Sequence, residues 1–314
     1  MDMKPSTEER IWAVLSHLSA LAFGMGVLLP IIGWSEQRRK SKYASFQCLQ
    51  ALGYQSLGYT VWLLAYMVAF ILLMVVFAFA AGAAGGENRI IDAWTMIFTL
   101  LVFAGFGLYI IVPVVAAVSC ALGKDFHYPL MGKKLAAYLG YGNTSHGESR
   151  LIEEHEEHWV ASMSHFTVII ALWGLIAPFT VWVVQGKNSV FLRFQSIQTS
   201  IYQVFVNIVY LGAMGLAFLG VIPLFALTGL EGNPGGNSPM ATFGLVLFML
   251  SMLIAGIVLL LLPLFHILGQ WAGYRVLKGD DYRYPVIGRL VEKWMVSKKP
   301  FTTDGGLSAE GKTV

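Results

Sequence analysis

Two histidines invite chemistry first. His17 closes the string Glu9-Arg10-Ile11-Trp12-Ala13-Val14-Leu15-Ser16-His17, and His165 closes its echo, Glu157-His158-Trp159-Val160-Ala161-Ser162-Met163-Ser164-His165. Arg10 and His158 stand seven residues earlier, close to the same helical face. An ionisable side chain is costly in hydrocarbon, so each must face a bundle interior, a partner or a water-filled cavity. A proton-sensitive or ligand-contacting pair near a repeat axis is the chemical reading. A neutral histidine tying helices together is the plain one. Gln47, Gln50 and Tyr54 follow at i, i+3 and i+7, matched by Gln195, Gln198 and Tyr202. Such amides line a polar path or bond across helices. They enter from the opposite end of the helix from His17, so a direct contact with the histidine is not implied.

Other chemistries find less footing. His17, His165 and His266 are potential axial imidazoles for a haem or chlorophyll, but there is no Cys-x-x-Cys-His attachment motif, and no cofactor is expected. The phosphate loop, the nucleophile elbow and the His-Glu-x-x-His zinc helix are missing, which points away from an enzyme. His155-Glu156-Glu157-His158 spaces its histidines three apart in a glutamate-rich stretch, and reads as a solvated acidic helix start, not a metal site. Cys48 and Cys120 have Ser196 and Val276 as counterparts, so they read as small buried thiols.

The elements that position these residues belong to a membrane. Of 314 residues 56% are hydrophobic and 12% charged, roughly half the charged share of a soluble domain. Six apolar segments, 11–34, 49–81, 93–122, 159–184, 197–227 and 241–276, meet the length of about 20 residues that a span needs. All are expected to be helical, because the bilayer core offers no water to unpaired backbone groups. The first is not read as a signal peptide, since its flank Glu8-Glu9 is acidic and the segment recurs within the chain. Trp12, Trp34, Trp159 and Trp182 near segment ends read as interfacial anchors. A net charge of +3, with basic residues at loops and tail, suits anionic lipid headgroups and not nucleic acid.

The echo runs on through Pro30/Pro178, Trp34/Trp182, Phe46-Gln47/Phe194-Gln195 and Tyr54-Gln55/Tyr202-Gln203, with about 14 of about 47 positions identical. Each copy closes on a polar coda, Gly123-x-x-Phe126-x-Tyr128-Pro129 and Gly279-x-x-Tyr282-x-Tyr284-Pro285. The expected organisation is a first three-helix repeat at 1–140, an acidic linker at 141–156, a second repeat at 157–299 ending in an interfacial amphipathic helix, and a disordered tail at 300–314. Three crossings per copy would invert the second copy, as in many transporters. The charges resist that. Arg38, Arg39, Lys40 and Lys42 share a side with Lys124, Lys133 and Lys134, but their counterparts around Lys187, Arg193 and 275–299 would then fall outside, against the positive-inside rule. Two arrangements would relieve the conflict: a weakly oriented inverted pair, or a first helix of one copy that does not fully cross, a re-entrant segment that Gly24, Gly26 and Pro30, or Gly174 and Pro178, would permit. Segment length favours six crossings.

Glu9, Arg10, Ala13, His17, Pro30, Trp34, Phe46, Gln50, Ala51, Tyr128 and Pro129 resemble the pattern of a bacterial membrane family, a domain of unknown function similar to the chloroplast inner-envelope import (Tic) channel subunit. Glu157, Ala161, His165, Pro178, Trp182, Arg193, Phe194, Gln198, Tyr284 and Pro285 carry it in copy two. Gln47 and Gln195 stand where that family has histidine. The resemblance implies a helical membrane module and suggests conduction or translocation. Three functions are compatible with these residues: a channel-like or translocation-associated subunit with a polar cavity at Gln47, Gln50, Gln195 and Gln198; a structural or assembly subunit partnered by other membrane proteins; and a haem- or pigment-binding electron carrier. The expected location is the prokaryotic cytoplasmic membrane.

Overall fold

A computed structural model describes residues 5–83, 88–142, 151–229 and 239–297. The described residues form helices and connecting turns without a strand, and four of the helices are 34 to 42 residues long. A helical membrane bundle in two copies is thus observed. Its course through the membrane differs from the one expected.

The first apolar segment does not cross. Helix α1 (Thr7–Leu18) starts on a capping box, in which the Ser6 side chain accepts from the Glu9 amide and the Glu9 carboxylate accepts from the Ser6 amide. It gives way to a 3-10 run, Ser19–Val27, where Phe23 takes a φ of 49°, and the chain returns as α2 (Leu28–Gln37). A straight helix from Glu8 to Gln37 would be about 43 Å long. Instead Gln37 Nε2 donates to Glu8 Oε1 at 3.0 Å, and the Ser41 hydroxyl donates to Glu9. Copy two repeats the reversal through α6 (Glu153–Phe166), two 3-10 turns at Thr167–Ile169 and Ala171–Leu175, and α7 (Ile176–Gln185). There Ser189 Oγ donates to Glu157 Oε2 at 2.6 Å. Both segments are re-entrant hairpins.

This corrects the six-crossing, inverted arrangement. The crossings are α3 (Lys42–Ala83), α4 (Asn88–Ala121), α8 (Val190–Gly229) and α9 (Pro239–Leu277), two per copy, so both copies point the same way. The hairpin bases, the starts of α3 and α8 and both codas then share one side, and Arg38, Arg39, Lys40, Lys42, Lys124, Lys133, Lys134, Lys187, Arg193, Arg275 and Lys278 with them. The positive-inside rule is met by both copies and makes this side cytoplasmic. Residues 84–87 and 230–238, between the crossings of each copy, most of the expected acidic linker (143–150) and the expected tail at 300–314 lie outside the described residues. The expected interfacial helix is present as α10 (Ile287–Ser297), seated on α8 through Val291, Phe194 and Ile197. Its counterpart in copy one is α5 (Gly132–Tyr138).

A backbone that turns inside the bilayer must satisfy its own polar groups. Gln55 of α3 donates to the Ser16 carbonyl at 3.0 Å and to Ser19 Oγ at 3.1 Å, where α1 ends. Gln203 of α8 does the same at the Ser164 carbonyl, 2.9 Å, and Thr167 Oγ1, 3.2 Å. The returning strand passes so close that a Cβ on Gly26 would lie 2.2 Å from the Ser19 carbonyl oxygen, and one on Gly174 would lie 2.1 Å from that of Thr167.

The copies are joined where the hairpins meet. Arg38 stacks on Trp34 at 4.6 Å and forms ion pairs with Glu153, 3.0 Å, Glu156, 3.8 Å, and Glu157, 3.3 Å. Trp34 Nε1 donates to Glu156 Oε1 at 3.2 Å, and Trp159 Nε1 to the Leu49 carbonyl at 3.0 Å. Trp34 and Trp159 are therefore buried interface residues and not membrane anchors, whereas Trp182 stays partly exposed. Glu156 is likewise buried and not solvated. Burial pushes its carboxyl up to about 7 against the opposing pull of Arg38 and the Trp34 hydrogen bond.

Gly26→Ala and Gly174→Ala are each expected to lose about 3 kcal/mol or more, because the methyl meets backbone that cannot move aside. Gly212→Ala, with open space around its Cβ, should be neutral or mildly stabilising. Thermal unfolding of the detergent-solubilised variants checks this; equal midpoints for all three would refute the tight turn.

Candidate functional site: two histidine clamps

Each repeat gathers its polar residues at one place, about two turns below the cytoplasmic ends of α3 and α8. In copy one, His17 Nε2 lies 3.0 Å from Gln47 Oε1, and Nδ1 lies 2.9 Å from the Tyr128 hydroxyl. Gln47 Nε2 donates to Asp125 Oδ1 at 2.8 Å and to the Phe126 carbonyl at 3.0 Å. Gln50 Nε2 donates to the same carbonyl at 2.9 Å, and Gln50 Oε1 accepts from the Tyr128 amide at 3.1 Å. Tyr54 stacks on Tyr128 at 4.5 Å, and its hydroxyl donates to the Tyr109 carbonyl of α4 at 2.9 Å.

Copy two reproduces the pattern. His165 Nε2 meets Gln195 Oε1 and Nδ1 meets the Tyr284 hydroxyl, both at 3.0 Å. Gln195 Nε2 donates to Asp281 Oδ1 at 2.8 Å and to the Tyr282 carbonyl at 3.1 Å; Gln198 bonds that carbonyl at 2.7 Å and accepts from the Tyr284 amide at 3.3 Å. Tyr202 stacks on Tyr284 at 4.1 Å and donates to the Phe265 carbonyl at 2.7 Å. Each histidine thus binds its hairpin to a crossing helix and to the coda that returns beneath it.

The partners dictate the protonation state. Gln47 spends its amide nitrogen on Asp125 and a carbonyl, so its oxygen faces His17 and must accept; Nε2 carries the hydrogen, and Nδ1 accepts from Tyr128. Gln195 and Tyr284 impose the same tautomer on His165. Both ring nitrogens of each histidine are engaged, which leaves no lone pair for a haem iron. His17, His165, Gln47, Gln50, Gln195 and Gln198 are all buried.

The direct histidine–glutamine contact departs from the sequence expectation, and the hairpin is its cause. Because α1 and α3 both start on the cytoplasmic side, residue 17 and residue 47 lie at the same depth. Arg10 and His158 stay apart from the clamps: Arg10 bonds the Ala121 carbonyl at 3.3 Å, and His158 packs on Phe191 at 4.6 Å. His266 is half-buried on α9 and enters neither clamp. Among described residues no cluster of three metal-ligating side chains occurs. Asp125/Asp281 and Tyr128/Tyr284 are the partners that sequence reading did not single out as site residues; their identity in both codas was the available signal.

Tyr128→Phe removes the hydroxyl that pairs with a buried ring nitrogen, at an expected cost of about 1–3 kcal/mol. Lys40→Ala, at an exposed position outside the clamp, should cost under about 1 kcal/mol. The comparison of melting midpoints decides whether the clamp carries stability: a Tyr128→Phe protein as stable as the parent would remove it from that role.

A family described as the magnetosome magnetite crystal formation protein family matches the chain twice, over residues 8–135 and 156–291. Each match takes in one re-entrant hairpin, one pair of crossings and one clamp. No curated protein and no solved structure matches the chain, so the expected similarity to the import-channel subunit is not shown. With both halves matched, the chain belongs to the magnetosome magnetite crystal formation protein family, as two fused copies of its membrane module.

Proposed function

We propose that this protein is a non-enzymatic structural subunit of the membrane around a forming magnetite crystal, where it organises lipid and neighbouring membrane proteins. The observation that carries this reading is the fate of the polar residues. The repeated histidines His17 and His165 and the glutamines Gln47, Gln50, Gln55, Gln195, Gln198 and Gln203 are buried and bonded within their own modules, and Gln185 bonds Ser35 and Arg38 across the join, so the polar inventory serves to hold hairpins, crossing helices and codas together. A channel-like role would require a polar path past Gln47, Gln50, Gln195 and Gln198, and those side chains are paired to the codas. What the protein offers outward is apolar: beyond the hairpins, Leu72, Val76 and Phe79 of α3 and Leu260, Leu264 and Ile267 of α9 are exposed, as surfaces for lipid or partner helices. The family description supplies magnetite formation as the setting, and it replaces the general cytoplasmic membrane with a crystal-bearing one as the proposed location.

Deletion of the gene in the encoding organism, followed by electron microscopy and membrane fractionation, tests the reading. The protein should fractionate with crystal-bearing membranes, and its loss should change crystal size or number. Unchanged crystals, together with absence of the protein from those membranes, would overturn it.

A further inference from the structure

The two repeats of this chain meet through unlike surfaces. The start of α6 in repeat two lies against α3 and α5 of repeat one. Trp159 donates to the Leu49 carbonyl, its ring stands 2.4 Å from where Gly53 would carry a Cβ, and His155 stacks on Tyr138 at 4.4 Å. Trp34, Leu49 and Leu135 on the receiving side are buried. A contact between unlike faces of equivalent modules is heterologous, so it leaves one receiving face open at one end of the chain and one inserting face unused at the other.

Both are present. A shift of 148 residues carries Trp34, Leu49 and Gly53 onto Trp182, Ile197 and Ile201, and the coda shift of 156 carries Leu135 and Tyr138 onto Val291 and Trp294. These five residues, with Leu290, line an apolar groove of about 400 Å³ between α7, α8 and α10. Trp182 is 38% and Ile201 45% exposed there, where their counterparts in repeat one are covered. The unused face lies on α1. Ile11 and Leu15 correspond to Trp159 and Met163, which are buried at the internal interface, yet Ile11 is 52% and Leu15 41% exposed. They stand at i and i+4, on one stripe of the helix, while Ala13, Ser16 and His17 face inward.

We propose that the Ile11–Leu15 stripe of one copy docks in the groove lined by Trp182, Ile201 and Trp294 of the next, so that copies join head to tail and continue the internal interface. The occupant is a second copy because the chain already contains the complex as a template. The common orientation of the repeats is what allows a neighbour in the same membrane to present α1 at the right depth. The link between copies is weaker than the internal one: Arg38, which holds three glutamates inside the chain, has Gly186 at its equivalent position, with the exposed Lys187 beside it to meet the acidic start of α1. The proposal rests on the structural-subunit reading, and their failures are separable, because a monomer could still alter crystals and a multimer could leave them unchanged.

The register names a contact pair. Trp159 against Gly53 becomes Ile11 of one copy against Ile201 of its neighbour. In membranes holding the full-length Ile11→Cys/Ile201→Cys protein, mild oxidation should give cross-linked dimers and higher multimers, and each single variant should give none. Native mass spectrometry from phospholipid nanodiscs supplies the second readout. The parent should give multimers, and Ile11→Arg, at an exposed site, should give monomers with an unchanged melting midpoint. Absence of cross-links in the folded double variant, equal cross-linking of either single variant, or a parent monomer that retains phospholipid would each overturn the proposal.

Discussion

A polypeptide that reverses direction inside hydrocarbon exposes backbone carbonyls to a medium that cannot hydrogen-bond them, and the rest of this structure depends on how that debt is met twice. Gln55 and Gln203 reach from the crossing helices to the last carbonyls of α1 and α6, and Gly26 and Gly174 let the returning strand pass at backbone distance. Once the reversal is satisfied, both ends of each hairpin lie on one side. The crossings per repeat fall from three to two, and the repeats acquire a common orientation.

That orientation brings the clamps into being. His17 and Gln47, thirty residues apart, can bond only if α1 and α3 start on the same side of the membrane, and the coda tyrosine reaches the histidine only because α4 returns there. The geometry asks for a neutral imidazole with one donor and one acceptor nitrogen, which no other common side chain supplies in that shape. The same orientation sets the hairpin bases of the two repeats beside each other, where Arg38 meets the acidic start of α6 over the Trp34 ring. Packing, charge and topology thus have a common origin in the hairpin turns.

Much of this was legible in the residues. Composition and segment length give the helical membrane class, the internal echo gives the two modules, and the echo also selects His17/His165 and the glutamine stripes as polar residues worth placing. The reversal was the hard part, because a segment long enough to span looks the same as one that turns back. Its signals were indirect: Gly26 and Pro30 inside the segment, and a charge distribution that three crossings could not satisfy. Trp34 was misread for a related reason, since a tryptophan near a segment end is the mark of an anchor, and its burial comes from a partner more than a hundred residues away. Asp125, Tyr128 and Gln55 recur in the second copy, but repetition alone does not say what they bond, and only the fold reveals what they hold.

The central claim is that both first segments are re-entrant and the repeats parallel. Lys40→Cys and Lys187→Cys, introduced singly at exposed positions beyond each hairpin, and labelled with a membrane-impermeant maleimide from either face of sealed vesicles, test it most directly. Both cysteines should react from the cytoplasmic face alone. Reaction of the two from opposite faces would contradict the hairpins and restore an inverted pair.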